Sequence, residues 1–279
     1  MASLLALMAA AAFGTSDFLA GLSSRRLSAP TVTGIAQTLG LATAALAVLV
    51  HGGDGPRTDV LLWGAASGFG NVAGTLALYQ GLAVGRMSVV ATLSGLLAAV
   101  IPAVVGLALG DALGPLTALG ILIAIPAIAL VSWQPENPGA GGSGARWGVL
   151  AGLGFALLFI ALAQAGSDSG AWPLLAGETV CVAIVAPLAA RSILTAGRST
   201  PRPVLVAVAA GVLAALANLL FLAATGQGEL AIVAVLTSLY PGFTVILARL
   251  FLAEHWNPRQ VIGLFAALLA VVLVSVGAA

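Results

Sequence analysis

Apolar residues gather into ten runs, near 3–21, 31–50, 60–83, 87–109, 113–132, 147–165, 172–190, 204–224, 230–252 and 259–277, separated by short polar breaks. Each run is close to the roughly 20 residues that a helix needs to cross a bilayer's hydrocarbon core. Within the runs Leu, Ala, Val and Gly recur without the strict alternation of a barrel strand. The runs are also about twice a barrel strand's length, so the pattern predicts helices. Helices satisfy their own backbone hydrogen bonds, which a lipid-solvated chain must do. The first run lacks a basic start, and Gly14-Thr15-Ser16-Asp17 makes a poor cleavage site, so it is expected to be a retained helix and not a signal peptide.

The second half repeats the first at a shift of 143 positions. Val90-Ala91-Thr92-Leu93-Ser94-Gly95-Leu96 falls on Val233-Ala234-Val235-Leu236-Thr237-Ser238-Leu239, Asp111 on Glu254, Pro115 on Pro258, and Gly120 on Gly263. Positions 88–132 give 13 identities in 45 ungapped pairs. A Gly- and Pro-rich polar stretch, with the character of a flexible linker, lies between the halves. The expected organisation is a first five-helix repeat over 1–133, a linker over 134–146 and a second repeat over 147–279. Five is odd, so the second repeat enters the membrane from the opposite side and the two form an inverted pair. The expected fold class is therefore an all-α integral membrane protein of ten transmembrane helices in two inverted five-helix repeats.

Composition agrees with a polytopic membrane protein: 61% of residues are apolar and only 7% charged, against about a quarter charged in soluble domains. A net charge of +1 and the lack of a basic block leave no footprint for nucleic acid. The lone cysteine, Cys181, cannot form an internal disulfide and reads as a small packing residue. His51 and His255 stand far apart without a ligand-spaced partner, so no metal site is expected. No phosphate-binding loop is present, and no cofactor is expected. All ten basic residues are arginines; nine of them, including Arg25, Arg26, Arg86, Arg191 and Arg202, lie at odd-numbered connections and only Arg57 at an even one. The positive-inside rule alone would then put both termini outside.

Leu78-Tyr79-Gln80-Gly81-Leu82 with Ser88 to Ser94, and Val233 to Pro241 with Leu252-Ala253-Glu254, resemble the two repeat signatures of the drug/metabolite transporter superfamily, EamA type. The resemblance spans nearly the whole chain. It implies ten helices in two inverted repeats around a central cavity, with export or exchange of amino acids, metabolites or amphiphilic compounds. It also implies cytoplasmic termini, opposite to the arginine distribution. The family's acidic-basic pair after the fourth and ninth helices is reduced here to Asp111-Ala112 and Glu254-His255, and its fourth-helix proline is replaced by Ala98. The partners expected are a small-molecule substrate and the lipid bilayer of the cell (plasma or inner) membrane, with the chain a monomer or homodimer.

Several polar residues lie inside apolar runs. Asp17 is the sharpest, because an ionisable group within a membrane helix costs about 2.5–3.5 kcal/mol on insertion scales and is usually functional. It reads as a cavity-facing proton or cation site, or as a residue near its helix end that reaches interfacial water or pairs with Arg25 or Arg26. Glu178, early in the seventh helix, reads as a second site or as a helix-start acid facing the macrodipole. Asn71, Tyr79 and Gln80 of the third helix and Asn218 of the eighth are expected to face other helices or the cavity. Ser238 and Tyr240 lie near Pro241, and with Asp17, Asn71, Tyr79, Gln80, Glu178 and Asn218 they complete the candidate substrate-binding set. Pro102 and Pro241 are candidate hinges, since a proline inside a helix frees a carbonyl. For Ser94 and Thr237 the expected role is satisfying backbone carbonyls. Gly64/Gly68, Gly70/Gly74 and Gly81/Gly85 give GxxxG spacing three times in the third helix, and Gly148/Gly152 once in the sixth, predicting close packing around a central third helix.

A secondary transporter or facilitator working by alternating access is the leading functional expectation. A non-transporting subunit or receptor is the alternative. A membrane enzyme fits less well, because catalytic groups are not clustered at one membrane face.

Overall fold

The structure is a computed structural model that describes residues 1–51, 55–108, 114–132, 144–166, 170–196, 201–225, 227, 236–237, 239–254 and 257–277. Ten helices are named among them: α1 (Ala2–Ser24), α2 (Ala29–His51), α3 (Thr58–Val84), α4 (Met87–Ala108), α5 (Pro115–Ser132), α6 (Ala145–Gln164), α7 (Trp172–Ala196), α8 (Pro201–Thr225), α9 (Tyr240–Leu252) and α10 (Pro258–Gly277). Seven are long and apolar enough to cross a membrane. Large apolar side chains such as Leu62, Phe69, Leu122, Leu205, Phe251 and Phe265 are exposed on the bundle's outside, as expected where lipid is the solvent.

Prolines open α5, α8 and α10, where the missing N–H would have no helical partner and the fixed φ suits the first turn. At the start of α10 the Asn257 Oδ1 accepts from the Gln260 N–H at 2.8 Å, and Gln260 Oε1 accepts back from the Asn257 N–H at 3.4 Å. This reciprocal capping satisfies two orphan donors.

α3 is the hub, packing on α1, α2, α4, α6 and α7. Its glycines set how closely its neighbours approach. A Cβ at Gly64 or Gly68 would collide with Pro173, Gly177 or Val180 of α7, and one at Gly70 or Gly74 with Gly154, Phe155 or Leu158 of α6. Gly81 lies under Trp147, while Gly148 and Gly152 of α6 take Val90, Leu93 and Leu97 of α4. In lipid there is no hydrophobic drive between helices, so such dispersion-rich backbone contact holds them together. The principal packing partners of α6 to α10 are all first-half helices: α6 rests on α3 and α4, α7 on α2 and α3, α8 on α1 and α2, α9 on α1 and α4, and α10 on α4 and α5.

The ninth helix is described only over Tyr240–Leu252, and Pro241 lies in its first turn. Pro102, by contrast, lies inside α4. The Pro241 ring packs on Gly95 of α4. Pro126 of α5 and Pro187 of α7 also lie within helices.

The turn between α9 and α10 is fastened to the turn between α3 and α4. Glu254 Oε1 accepts the Met87 N–H at 2.7 Å, and Oε2 accepts the Ser88 N–H at 3.2 Å and the Ser88 hydroxyl at 2.5 Å. Arg86 donates to Gln260 Oε1 at 2.8 Å. The carboxylate thus caps the N-terminus of α4, where orphan amides and the helix dipole favour an anion.

Candidate functional site

Asp17 is carried on α1 and half-buried. One turn earlier, Gly14 lets α1 touch the start of α9: a Cβ there would strike the Tyr240 carbonyl and Phe243, and the Thr244 hydroxyl donates to the Gly14 carbonyl at 3.0 Å. This close approach brings Tyr240 beside α1, where its ring meets Phe13 edge-on at 6.1 Å between centroids and 61° between planes. The Tyr240 hydroxyl turns toward Gly95 of α4. Tyr79 is buried on α3, which also packs on α1. α1 thus packs on both α3 and α9, and α9 in turn on α4.

Among the described residues the Asp17 carboxyl has no hydrogen-bond or ion-pair partner. Arg25 and Arg26 are exposed, and the ion pair described joins Arg57 to Asp59 on the exposed start of α3. The alternative in which Asp17 is paired with the neighbouring arginines is not what the structure contains.

A second polar cluster lies where α2, α3 and α7 meet. Glu178 Oε1 accepts from Asn71 Nδ2 at 3.1 Å, and Asn71 Oδ1 accepts from the Thr75 hydroxyl at 3.1 Å. Glu178 Oε2 is buried without a partner, facing Gly40 of α2. One turn along α7, Cys181 Sγ accepts from Gln37 Nε2 of α2 at 3.0 Å. Tyr79 follows Asn71 by eight residues on α3, about two turns further along the helix.

Residues 142–276 match the model of the EamA-like transporter family. This segment, most of the second half of the chain, is what is similar to that family. With seven helices long and apolar enough to cross a membrane, the chain has the character of a multi-pass membrane protein. No curated protein matches the chain. A solved crystal structure, titled only as that of a protein, shares 15% identity over 98% of this chain and 95% of its own, with a TM-score of 0.57; the likeness concerns the fold alone.

The structure places Tyr240 against α1 near Asp17 and joins Asn71 to Glu178, with Tyr79 buried on α3. Gln80 is half-buried on α3, while Asn218 is exposed on α8 and takes no part in either cluster. Ser238, Asp111 and His255 lie outside the described residues. Ser94 donates to Ala91 of its own helix at 3.1 Å, and Thr237 donates to the Ala6 carbonyl of α1 at 3.5 Å. Gln37 and Thr75 were not anticipated. Thr75 follows Asn71 by four residues, so the two share a helix face, and Gln37 is an amide within an apolar run; both signals were present in the sequence.

The two cavities described lie to the sides of these centres. One, of about 210 Å³, opens between α4, α9 and α10 and is almost wholly apolar. The other, of about 1010 Å³, lies between α2, α7 and α8.

Proposed function

We propose that this EamA-like chain is a secondary transporter or facilitator of small organic solutes, such as amino acids, metabolites or amphiphilic compounds, in the cell membrane. It works by alternating access of two five-helix repeats, 1–133 and 147–279, around a central site. The carrying observation is the half-buried Asp17 carboxyl on α1, which packs on α3 and α9 and gives that acid no partner among the described residues. An ionisable group placed there inside a membrane protein is costly unless something uses it. A proton or the amine of a substrate is the natural occupant. Tyr79 and Tyr240 supply phenol hydroxyls for the same solute, and Glu178 with Asn71 supplies a second protonatable position.

The packing pattern supports reading the chain as two related halves. Exchanging each helix for its counterpart five places on turns the α3–α6 contact into α8–α1, α3–α7 into α8–α2, and α4–α6 into α9–α1. The α2–α7, α4–α9 and α5–α10 contacts map onto themselves. A pseudo-two-fold axis in the membrane plane has this property.

Uptake and efflux of amino acids and organic cations in proteoliposomes, with and without a pH gradient, test the reading. Gradient-driven flux abolished by Asp17→Asn is the expected result. Flux indifferent to the gradient would make the chain a facilitator, and no flux for any solute would favour a non-transporting subunit.

A further inference from the structure

The cavity of about 1010 Å³ between α2, α7 and α8 contains none of the central residues Asp17, Tyr79 and Tyr240. α2 forms its floor. α7 and α8, though consecutive, both rest on α2 rather than principally on each other, so the groove opens sideways between them. Its inner part is lined by Leu39, Val182 and Val208, and the Thr38 hydroxyl there turns back to the Gly34 carbonyl at 2.7 Å. Its outer end carries Arg26, Ser28 and Ser192. From Ser28 to Leu39 is roughly 17 Å along α2 at 1.5 Å per residue, close to half of the ~30 Å hydrocarbon core. The groove is one leaflet deep.

The outer end is basic. Arg26 lines it, Arg25 adjoins Arg26, and Arg191 adjoins Ser192. The Ser23 hydroxyl donates to the Pro203 carbonyl at 2.8 Å, which holds the start of α8, with Arg202, against the end of α1. All four arginines are exposed and, among the described residues, have no acidic partner. Glu254, the one acid described at this membrane face, is engaged in capping α4.

We propose that this groove is a binding site for one anionic phospholipid, with its acyl chain along α2 between α7 and α8 and its phosphate among Arg25, Arg26, Arg191 and Arg202. Basic residues at a membrane surface attract anionic headgroups, and guanidinium groups bind phosphate bidentately. The depth of one leaflet, the apolar floor and the lateral opening suit a lipid chain, and the unpaired arginines at the mouth select its charge. This site is separate from the central one and does not depend on transport.

The test is native mass spectrometry of the whole protein after reconstitution into membranes of equal phosphatidylglycerol and phosphatidylcholine. One phosphatidylglycerol should be retained in preference to phosphatidylcholine, and excess inorganic phosphate should not displace it. Arg26→Gln with Arg202→Gln should weaken that preference by roughly fivefold for each arginine removed. Ala186→Phe, at an exposed alanine of the groove wall, should abolish retention while leaving the thermal unfolding midpoint unchanged. Equal retention of the two lipids, or a preference that survives both variants, would overturn the proposal. So would loss of solute flux in Ala186→Phe with phosphatidylglycerol still retained, which would make the groove a solute path.

Discussion

Glu254 and Ser88 are 166 residues apart in the chain, yet the Glu254 carboxylate takes both the backbone N–H and the hydroxyl of Ser88. The bond joins the α9–α10 turn of one half to the first turn of α4 in the other. It gives a defined role to an acid that sequence resemblance had linked only to a reduced acidic-basic pair.

Removing that carboxylate should be costly. Glu254→Ala strips three acceptor contacts from the start of α4, and the protein is expected to lose about 1–3 kcal/mol, the range for hydrogen bonds to a charged group at a helix start. Ser88→Ala should cost less, because the Met87 and Ser88 amides keep their acceptor. Thermal unfolding in detergent ranks the two, and an unchanged midpoint for Glu254→Ala would refute the capping role.

The glycine contacts make a paired prediction. Gly154 meets Gly74 backbone to backbone, whereas nothing lies within 4 Å of a Cβ at Gly242. Gly154→Leu should separate α3 from α6 and destabilise by ~1–3 kcal/mol or more, as overpacking does. Gly242→Ala should be neutral or stabilising, by at most about 1 kcal/mol. A Gly154→Leu protein that unfolds at the unaltered temperature would show that α3 and α6 are not in backbone contact.

Asn71 and Glu178 should be energetically coupled. Asn71→Leu leaves the Glu178 carboxyl without its donor and should cost roughly 1.5–3 kcal/mol. Adding Glu178→Leu should recover part of the loss, since removing both partners of a buried hydrogen bond is far cheaper than removing one. A double-mutant cycle on the unfolding free energies reads the coupling; strictly additive effects would rule it out.

If Tyr240 contacts the solute, Tyr240→Phe keeps the ring against Phe13 and removes only the hydroxyl. The expected outcome is an unchanged unfolding midpoint with a KM raised about 5- to 10-fold, the value of one hydrogen bond of about 1 kcal/mol or slightly more. Unaltered flux kinetics in proteoliposomes would exclude the hydroxyl from recognition.

Much of the bundle was readable from the chain. Ten apolar runs of membrane length, and glycines spaced four apart on the third helix, report local requirements: backbone satisfaction in lipid and room for a neighbour. Asp17 stood out for the same reason, as a charge inside an apolar run. The polar partners were harder to see. Asn71 could have bonded to any helix, and the choice of Glu178 with the addition of Thr75 and Gln37 depended on which helix the Gly64 and Gly68 contacts brought to that side of α3.

The sequence by itself determined that this is a ten-run, membrane-spanning helical chain with an acid inside its first apolar run and a third helix built for close contact. Tertiary structure decided the partners: α7 and α6 on the two glycine faces of α3, Tyr240 beside α1 near Asp17, Glu254 on α4, and a groove with Arg26 at its end where α7 and α8 rest on α2. The physical reason is that helix formation in lipid is local, set by hydrogen bonds four residues apart. Lipid solvates every apolar face about equally well, so which faces meet is settled by steric fit and by polar groups supplied from distant parts of the chain.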